Sequence, residues 1–354
     1  MIRLAVVGCG GMANGHVNGF KKIPGVRITA CCDVAEDRAA QFARKHGIPA
    51  SYTDLGGMLA SEKLDAVTNV TSDAAHASTS IAAFKAGLHV LCEKPLATSL
   101  AEAKKMVRAA QESGRIHMVN FSYRNSPALQ RAREIVQAGK LGRITHVEAS
   151  YLQSWICSRV WGDWKDNWAW IWRLSTQAGS AGTLGDIGCH IIDFATFVAG
   201  GIRSLSCQLS RLPKGVPGER WQGLKLDAND NVAITAEFEG GVLGCIHTTR
   251  WASGHANSLR LRVFGDQGAV DVDLDKGWDT LQVCIGRKAV DKCAWTTLKC
   301  RKTPSNLERF IRSIRTGKNE QPDFVRGAEI QAYLDACFRS AKSKKLARIA
   351  SAGA

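Results

Sequence analysis

The chain has 354 residues, of which 45% are hydrophobic and 22% charged, and this predicts a globular protein of two domains rather than a disordered or fibrous one. It contains no apolar run of about 18 residues and no signal-peptide pattern around its first strand, so we expect a cytoplasmic protein without a membrane span. The net charge of +15 is spaced along amphipathic helices without interleaved aromatic rings, and the twelve cysteines lack zinc-site spacing, which argues against a nucleic-acid partner and against a metal.

Short apolar runs alternate with amphipathic stretches up to about residue 122. The predicted strands are Leu4–Val7, Ile28–Cys32, Ala66–Val70, His89–Cys92 and Met118–Phe121. The predicted helices lie between them, near residues 12–21, 35–46, 74–86 and 98–113. Alternating β and α segments indicate an α/β fold with a doubly wound parallel sheet. We therefore assign residues 1–122 to a Rossmann dinucleotide-binding domain.

The pattern changes after Pro127, where one helix continues to about Ala138 and β-rich segments follow. The predicted strands of this part are 144–152, 204–211, 231–238, 242–250, 259–264 and 269–273. Hairpin-like turns join several of them, so we expect a largely antiparallel sheet. Further helices are predicted near 183–199, 304–316 and 323–346. Residues 123–354 are therefore assigned to a second, α+β domain.

A glycine-rich turn follows the first strand and opens a helix. Its residues fit the pattern G-x-G-x-x-G/A, and we assign to the cofactor Gly8, Gly10, Gly11, Met12 and Ala13. The first glycine allows the tight turn, the second lets the backbone approach a pyrophosphate, and the small residue at Ala13 lets the helix pack on the strand. The helix N-terminus offers free N–H groups to the phosphates. This strand–turn–helix context predicts dinucleotide binding.

Asp33 follows the second strand, 23 residues after Gly10. A carboxylate at this place accepts hydrogen bonds from the adenosine ribose and repels a 2′-phosphate, which favours NAD over NADP. Arg38 lies one helical turn later, where it could stack on adenine or pair with a phosphate, so NADP stays an alternative.

Five stretches of the chain resemble the Gfo/Idh/MocA family of oxidoreductases, in that family's order. They are Gly8–Ala13, Thr71–His76, His89–Leu96 with its E-K-P element, Phe121–Arg124 and Gly185–Asp193 with its D-x-x-x-H element. The resemblance implies a Rossmann domain followed by an open-sheet domain for substrate binding and oligomerisation, with the active site between the two. It also implies that Lys94 contacts nicotinamide and substrate, that His190 accepts the proton and that Asp186 is its partner.

The chemistry of these three residues agrees with those roles. Lys94 follows the end of a parallel strand, where ligands of open α/β sheets bind, and its ammonium would stabilise a developing alkoxide. Asp186 and His190 are four residues apart, so on a regular helix the carboxylate would reach the imidazole. Imidazole is a suitable acceptor for a hydroxyl proton. Asp193 lies on the same predicted face, where a structural or a catalytic hydrogen bond is equally expected.

Further residues near these motifs are assigned to the cofactor or to the substrate. The additional cofactor residues are Thr71, Ser72, His76, Glu93, Lys94 and Asn120. Where family members often carry T-P-N, this chain has Thr71-Ser72-Asp73, which affects the expected cofactor affinity but not the chemistry. The predicted substrate residues are Lys94, Tyr123, Arg124, Trp172, Arg173, Asp186 and His190.

Six of the ten tryptophans lie between Trp155 and Trp172. Aromatic faces beside polar side chains suit a carbohydrate, but tryptophan is also enriched at subunit interfaces, and local packing is a third interpretation. Trp172 and Arg173 are closest in sequence to the D-x-x-x-H element, so we favour these two for substrate contact.

The sequence therefore predicts an NAD(P)-dependent dehydrogenase acting on a secondary alcohol of a sugar, inositol or related polyol. An alternative is a glycosidase that retains NAD and acts by transient oxidation and elimination. A non-enzymatic regulator with the same fold is the third alternative, and the presence of Lys94, Asp186 and His190 argues against it. We expect a homodimer or homotetramer.

Overall fold

The computed structural model describes residues 1–352, which form two compact units. Among the described residues, unit 1 contains residues 1–122, 304–331 and Ala352, and unit 2 contains residues 123–303 and 332–351. Residues 304–331, which the sequence pattern placed with the second domain, thus belong to unit 1. The reason is apolar burial, because Phe310 and Ile311 are completely buried in the core of that unit.

The strands are numbered along the chain. They are β1 Ile2–Val7, β2 Val26–Cys32, β3 Ala50–Tyr52, β4 Ala66–Asn69, β5 His89–Cys92, β6 His117–Val119, β7 Ile144–Gln153, β8 Ile202–Ser210, β9 Arg220–Trp221, β10 Leu224–Lys225, β11 Asn231–Phe238, β12 Leu243–Thr249, β13 Asn257–Gly265, β14 Gly268–Asp273, β15 Thr280–Ile285, β16 Thr296–Lys299 and β17 Ala347–Arg348.

The α-helices are numbered in the same way. They are α1 Gly11–Phe20, α2 Glu36–His46, α3 Leu55–Ser61, α4 His76–Lys85, α5 Leu100–Ser113, α6 Pro127–Gln137, α7 Trp168–Ile171, α8 Cys189–Ala199, α9 Arg287–Asp291, α10 Asn306–Thr316 and α11 Phe324–Ser343. No helix in residues 1–352 is both long and apolar enough to cross a membrane.

Unit 1 is built on a six-stranded sheet in the order β3-β2-β1-β4-β5-β6, with every pair parallel. The central strands are continuous apolar runs, because both faces of such a sheet are covered by helices. The order reverses beside β1, and this is the point where open α/β sheets bind ligands at the carboxyl ends of their strands. The predicted doubly wound parallel fold is confirmed.

Unit 2 contains a nine-stranded sheet in the order β16-β15-β14-β13-β7-β12-β11-β8-β17. All its strand pairs are antiparallel except β12 with β7, which is parallel. The prediction of a largely antiparallel sheet is therefore confirmed. Burial alternates along β11 and β12, as expected for a sheet with one buried face. The buried helix α8 packs against β7 of this sheet.

The segment 183–199 differs from the single α-helix that the sequence pattern predicts. Leu184–Gly188 forms one wide π-helical turn, and α8 follows it directly from Cys189. Turns of this kind insert an extra residue into a helix and occur frequently at functional sites. The π turn contains Asp186 and the first turn of α8 contains His190, so the regular four-residue spacing does not describe how their side chains are directed.

Candidate functional site

The glycine-rich turn of unit 1 has the shape that a dinucleotide phosphate requires. Gly8 has a φ of +90°, and a Cβ on it would lie 2.5 Å from the carbonyl oxygen of Val70, so only glycine fits. A Cβ on Gly10 or Gly11 would meet open space instead. Helix α1 begins at Gly11 with no side-chain cap on its first N–H groups and no acidic residue in its first turn. Its N-terminus can therefore receive an anion.

Asp33 joins this turn to the end of β2. Its Oδ2 accepts a hydrogen bond from the backbone N–H of Cys9 at 2.9 Å, and its Oδ1 accepts one from Ala35 at 3.0 Å. The carboxylate is 7% exposed. Arg38 pairs with the same Oδ1 at 3.2 Å while its side chain stays 58% exposed. Asp33 thus reaches the turn as expected, and Arg38 partly neutralises it.

The loop after β4 is held by two buried side chains. Asn69 accepts hydrogen bonds from the N–H and the hydroxyl of Thr71 and donates to the carbonyl of His76. The ring of His76 is completely buried, with Nδ1 2.8 Å from the carbonyl oxygen of Pro95 and Nε2 3.2 Å from that of Thr71. Thr71 is half-buried and Ser72 is exposed, so their groups remain accessible from solvent.

A buried polar network surrounds Glu93, directly after β5. Its Oε1 lies 2.9 Å from Nε2 of His16 on α1 and accepts a hydrogen bond from Asn120 at 2.7 Å. Nδ1 of His16 lies 2.7 Å from the hydroxyl of Thr68 on β4. The network therefore connects α1, β4, β5 and the segment after β6 at the carboxyl edge of the parallel sheet.

This network determines the charge state of Glu93. Burial acts to raise the pKa of its carboxyl, but the hydrogen bonds and charges of His16, Lys94 and Asn120 outweigh it and lower the pKa to about 2. Glu93 is therefore ionised throughout the physiological range. Lys94 follows it at the same edge, is half-buried and precedes Pro95 through a cis peptide bond.

In unit 2, His190 is buried at the start of α8 among tyrosine rings. Its ring centroid lies 4.9 Å from that of Tyr123 in an edge-to-face arrangement and 6.4 Å from that of Tyr151. The two tyrosine hydroxyls are 2.6 Å apart, and the side chain of Asn257 bonds to both. Burial and Tyr123 raise the pKa of Tyr151 well above its ordinary value, so this phenol stays protonated.

Asp186 lies between two arginines. Its Oδ2 accepts hydrogen bonds from Nε of Arg173 at 3.0 Å and from Nη2 of Arg250 at 2.7 Å. The side chain of Arg250 is completely buried and packs over the ring of Trp155 at 5.0 Å. Burial lowers the pKa of Arg250 to about 10 despite the attraction of Asp186, and the guanidinium remains charged at neutral pH.

Asp193 forms a separate buried ion pair with Arg124. Two hydrogen bonds of 2.8 and 2.6 Å join them, and both side chains are at most 3% exposed. The guanidinium also lies 4.0 Å from the ring centroid of Phe197 on α8. The geometry favours the structural interpretation of Asp193, because its carboxylate is engaged in a two-point pair that fixes α8 to the segment containing Tyr123.

The tryptophan-rich segment divides into buried and accessible rings. Trp155 and Trp164 are at most 4% exposed and belong to a local apolar cluster of unit 2, which supports local packing for these two. Trp168 is 56% exposed. Trp172 is half-buried, and the guanidinium of Arg173 lies 4.7 Å from its ring centroid. The pair assigned to the substrate is thus accessible, unlike the core tryptophans.

Several residues at these places were not singled out from the sequence. They are His16, Thr68, Asn69, Tyr151, Arg250 and Asn257. Their partners are up to 134 residues away along the chain, so no local pattern indicates them. Within the part of the chain that the structure describes, no group of three His, Cys, Asp or Glu side chains could hold a metal ion.

Each of the two structural units contains a region that matches a known family model. Residues 2–121 match the model of an oxidoreductase family with an NAD-binding Rossmann fold, and residues 129–271 match the model of the GFO/IDH/MocA C-terminal domain. Together the two models cover well over half of the chain.

Two curated proteins and one solved structure illustrate the similarity. Levoglucosan dehydrogenase of Pseudarthrobacter phenanthrenivorans is 30% identical over 73% of this chain and 68% of its own length. Myo-inositol 2-dehydrogenase of Thermotoga maritima is 27% identical over 77% of this chain and 75% of its own. A structure of levoglucosan dehydrogenase with NADH and L-sorbose superposes with a TM-score of 0.88 at 25% identity, covering 99% of each chain.

Proposed function

This chain belongs to the Gfo/Idh/MocA family of NAD-binding oxidoreductases, and from that premise we propose that it is a dehydrogenase of sugars or polyols. It would transfer hydride between NAD and a secondary hydroxyl group. The similarity to levoglucosan dehydrogenase and to myo-inositol 2-dehydrogenase supports this substrate class.

One observation carries the proposal. Lys94 and the Gly8–Ala13 turn lie at the same carboxyl edge of the parallel sheet, because β1 and β5 run in the same direction and are both paired with β4. Ligands of open α/β sheets bind at this edge where the strand order reverses. A phosphate-binding turn and a lysine at one edge suit a cofactor whose reactive ring lies beyond its pyrophosphate.

The residues of unit 1 fit NAD. The space beside Gly10 and Gly11, the uncapped start of α1 and the carboxylate of Asp33 match a pyrophosphate and an unphosphorylated ribose. We assign the remaining contacts to Met12, Ala13, Arg38, Thr71, Ser72, His76, Glu93 and Asn120. NAD, when bound, supplies the acceptor for the hydride.

Two side chains supply the remaining chemistry in this proposal. His190 takes the proton of the substrate hydroxyl as the carbonyl forms, and its surroundings of tyrosine rings limit the access of water to it. The ammonium of Lys94 is suited to stabilise negative charge that develops on a substrate oxygen. Asp186, Tyr123, Arg124, Trp172 and Arg173 orient the substrate or His190.

The assembly and the compartment are also inferred. We propose a homodimer or homotetramer through the face of the nine-stranded sheet opposite α8, where β11 and β12 present alternate exposed residues. A reducing, cytoplasmic compartment is supported by the free thiols of all twelve cysteines.

The test is the formation of NADH with a panel of sugars, inositols and anhydrosugars, combined with mass spectrometry of any cofactor that copurifies. Net NADH from a polyol, lost in Lys94→Ala, supports a dehydrogenase. Cleavage of a glycoside without net NADH would instead indicate an NAD-retaining glycosidase. Tight NAD binding without either reaction would contradict an enzymatic role.

A further inference from the structure

A local excess of positive charge surrounds Asp186 in unit 2. Arg173 and Arg250 both bond to this one carboxylate. The nearby Lys214 and Asp230 form their own fully buried ion pair and cancel each other. One positive charge is therefore left over in a largely buried place, and such a charge is costly unless an anion compensates it.

Hydrogen-bond donors at the same place lack partners. Within residues 1–352, none is found for Nε of Arg250 or for Nε1 of Trp251, the next residue, although both atoms are shielded from solvent. These nitrogen atoms only donate, so whatever satisfies them must supply an acceptor.

Two buried hydroxyls of unit 2 are also without a partner in the described chain. They belong to Ser175 and Thr183. The backbone connects Ser175 to the arginines, because the carbonyl of Arg173 accepts hydrogen bonds from Arg250 and from the hydroxyl of Ser180, and the N–H of Ser180 donates to the carbonyl of Ser175. Nε of Arg250 and the hydroxyl of Ser175 are thus buried polar groups without partners beside the arginine pair.

Arg173 makes this place accessible to a ligand. Its side chain is 20% exposed, whereas that of Arg250 is completely buried. The rings of Trp170 and Trp172 lie 5.6 and 4.7 Å from its guanidinium carbon and hold it in place. Its Nε donates to Asp186 and its Nη1 to the carbonyl of Ala169, so the N–H groups left for two-point binding of a carboxylate are the remaining ones of Nη1 and Nη2.

We propose that the substrate is an acidic sugar, a uronate or an aldonate, whose carboxylate is bound by Arg173 with Arg250 behind it. This inference rests on the proposed dehydrogenase function and narrows its substrate class. The carboxylate compensates the surplus positive charge and accepts hydrogen bonds from Arg173, while the sugar hydroxyls remain available for oxidation. A neutral sugar would supply acceptors but no compensating charge.

The experiment compares matched pairs of sugars that differ only at the exocyclic carbon: D-glucuronate with D-glucose, and D-galacturonate with D-galactose. We expect kcat/KM with NAD to be at least about tenfold higher for each acid, the effect of one charge-assisted hydrogen bond. Arg173→Met should lower this value for both sugars, but by about ten- to a hundredfold more for the acid than for the neutral sugar, so that the preference for the acid is lost. Arg173→Lys, which keeps the charge but loses the planar fork, should lie between.

Arg143→Met is the matched control, since it removes the same charge from a side chain that is 83% exposed, and it should leave the preference unchanged. Calorimetry of D-glucuronate and D-glucose with the NAD-loaded protein gives a readout independent of turnover.

Formation of NADH from neutral sugars but not from acids would overturn this inference and leave the proposed dehydrogenase function standing. Absence of NADH from every compound would contradict the proposed function, and equal binding of acid and neutral sugar in calorimetry would still overturn the inference.

Discussion

Nε2 of His16 lies 2.9 Å from Oε1 of Glu93, and both side chains are less than 10% exposed. This contact joins the first helix of the Rossmann unit to the E-K-P element, 77 residues further along the chain. Glu93 thus carries a buried negative charge next to Lys94. Burial acts to raise the pKa of its carboxyl, but the hydrogen bonds and charges of His16, Lys94 and Asn120 lower that pKa to about 2. The contact therefore contributes both to the stability of unit 1 and to the negative charge beside Lys94.

The first prediction concerns the stability of the protein at acid pH. The pKa of Glu93 lies below its ordinary value of 4.5 in the folded state, so its ionisation stabilises the fold above pH 4.5. That contribution, roughly 3 kcal/mol, should be lost as the pH falls from 4.5 towards 2. Urea denaturation of the wild type and Glu93→Gln should show a difference in unfolding free energy that shrinks over this range. Glu112→Gln, at an exposed position, serves as the control, and a difference independent of pH would contradict the assignment.

The second prediction concerns the choice of cofactor. NAD should bind more tightly than NADP, because we assign Asp33 to the adenosine ribose, where its carboxylate would repel a 2′-phosphate. Asp33→Ser should weaken NAD binding and reduce the discrimination, as measured by calorimetry with both cofactors. Arg38→Met should sharpen the preference for NAD, because it removes the positive charge that pairs with Asp33. Equal affinity of the wild type for both cofactors would show that Arg38 dominates.

The third prediction separates a substrate contact from a subunit contact at Trp172. If this half-buried ring contacts the sugar, Trp172→Ala should raise KM for the substrate and leave the Kd of NAD nearly unchanged. Trp168→Ala, at a more exposed ring of the same segment, is the matched comparison. Sedimentation analysis tests for a subunit contact. Dissociation of Trp172→Ala to monomers with an unchanged KM would show that the segment forms a subunit interface.

The fourth prediction concerns the arginine pair on Asp186. Asp186→Ala leaves two guanidinium groups, one of them completely buried, without their carboxylate and should lower the unfolding free energy by about 3–5 kcal/mol. Asp186→Asn keeps a hydrogen-bond acceptor and should cost less. Denaturant unfolding of both variants checks this order. Glu134→Ala, from an exposed pair with Arg131, should have little effect, and a similarly small effect of Asp186→Ala would refute the role of the pair.

Local patterns in the sequence account for most of the fold and for part of the site. Apolar periodicity indicates strands such as β1 and β5, and the glycine spacing indicates the turn before α1. The pattern misses β3, because its three residues are exposed or only half-buried and form no apolar run. It also misses β15, β16 and the π turn before α8, since pairing in the sheet and packing, rather than propensity, determine these.

Contacts between distant residues explain what the sequence did not indicate in the site. Arg250 reaches Asp186 from 64 residues away, and the alternation of polar and apolar residues around it resembles that of any strand end. The sequence pattern predicted Asp186 as the partner of His190 from their four-residue spacing. That pairing stays a prediction, and the structure adds the two arginines that Asp186 binds.

The most direct test of the account is the turnover of His190→Ala with an accepted sugar, measured together with its affinity for NAD. The account predicts that kcat falls by about two to four orders of magnitude while the Kd of NAD is unchanged, because the variant loses proton transfer but none of the residues assigned to the cofactor. In the wild type, kcat/KM should fall at low pH as the imidazole becomes protonated. Full activity of His190→Ala, with a pH profile like that of the wild type, would contradict the assignment of His190 as the base.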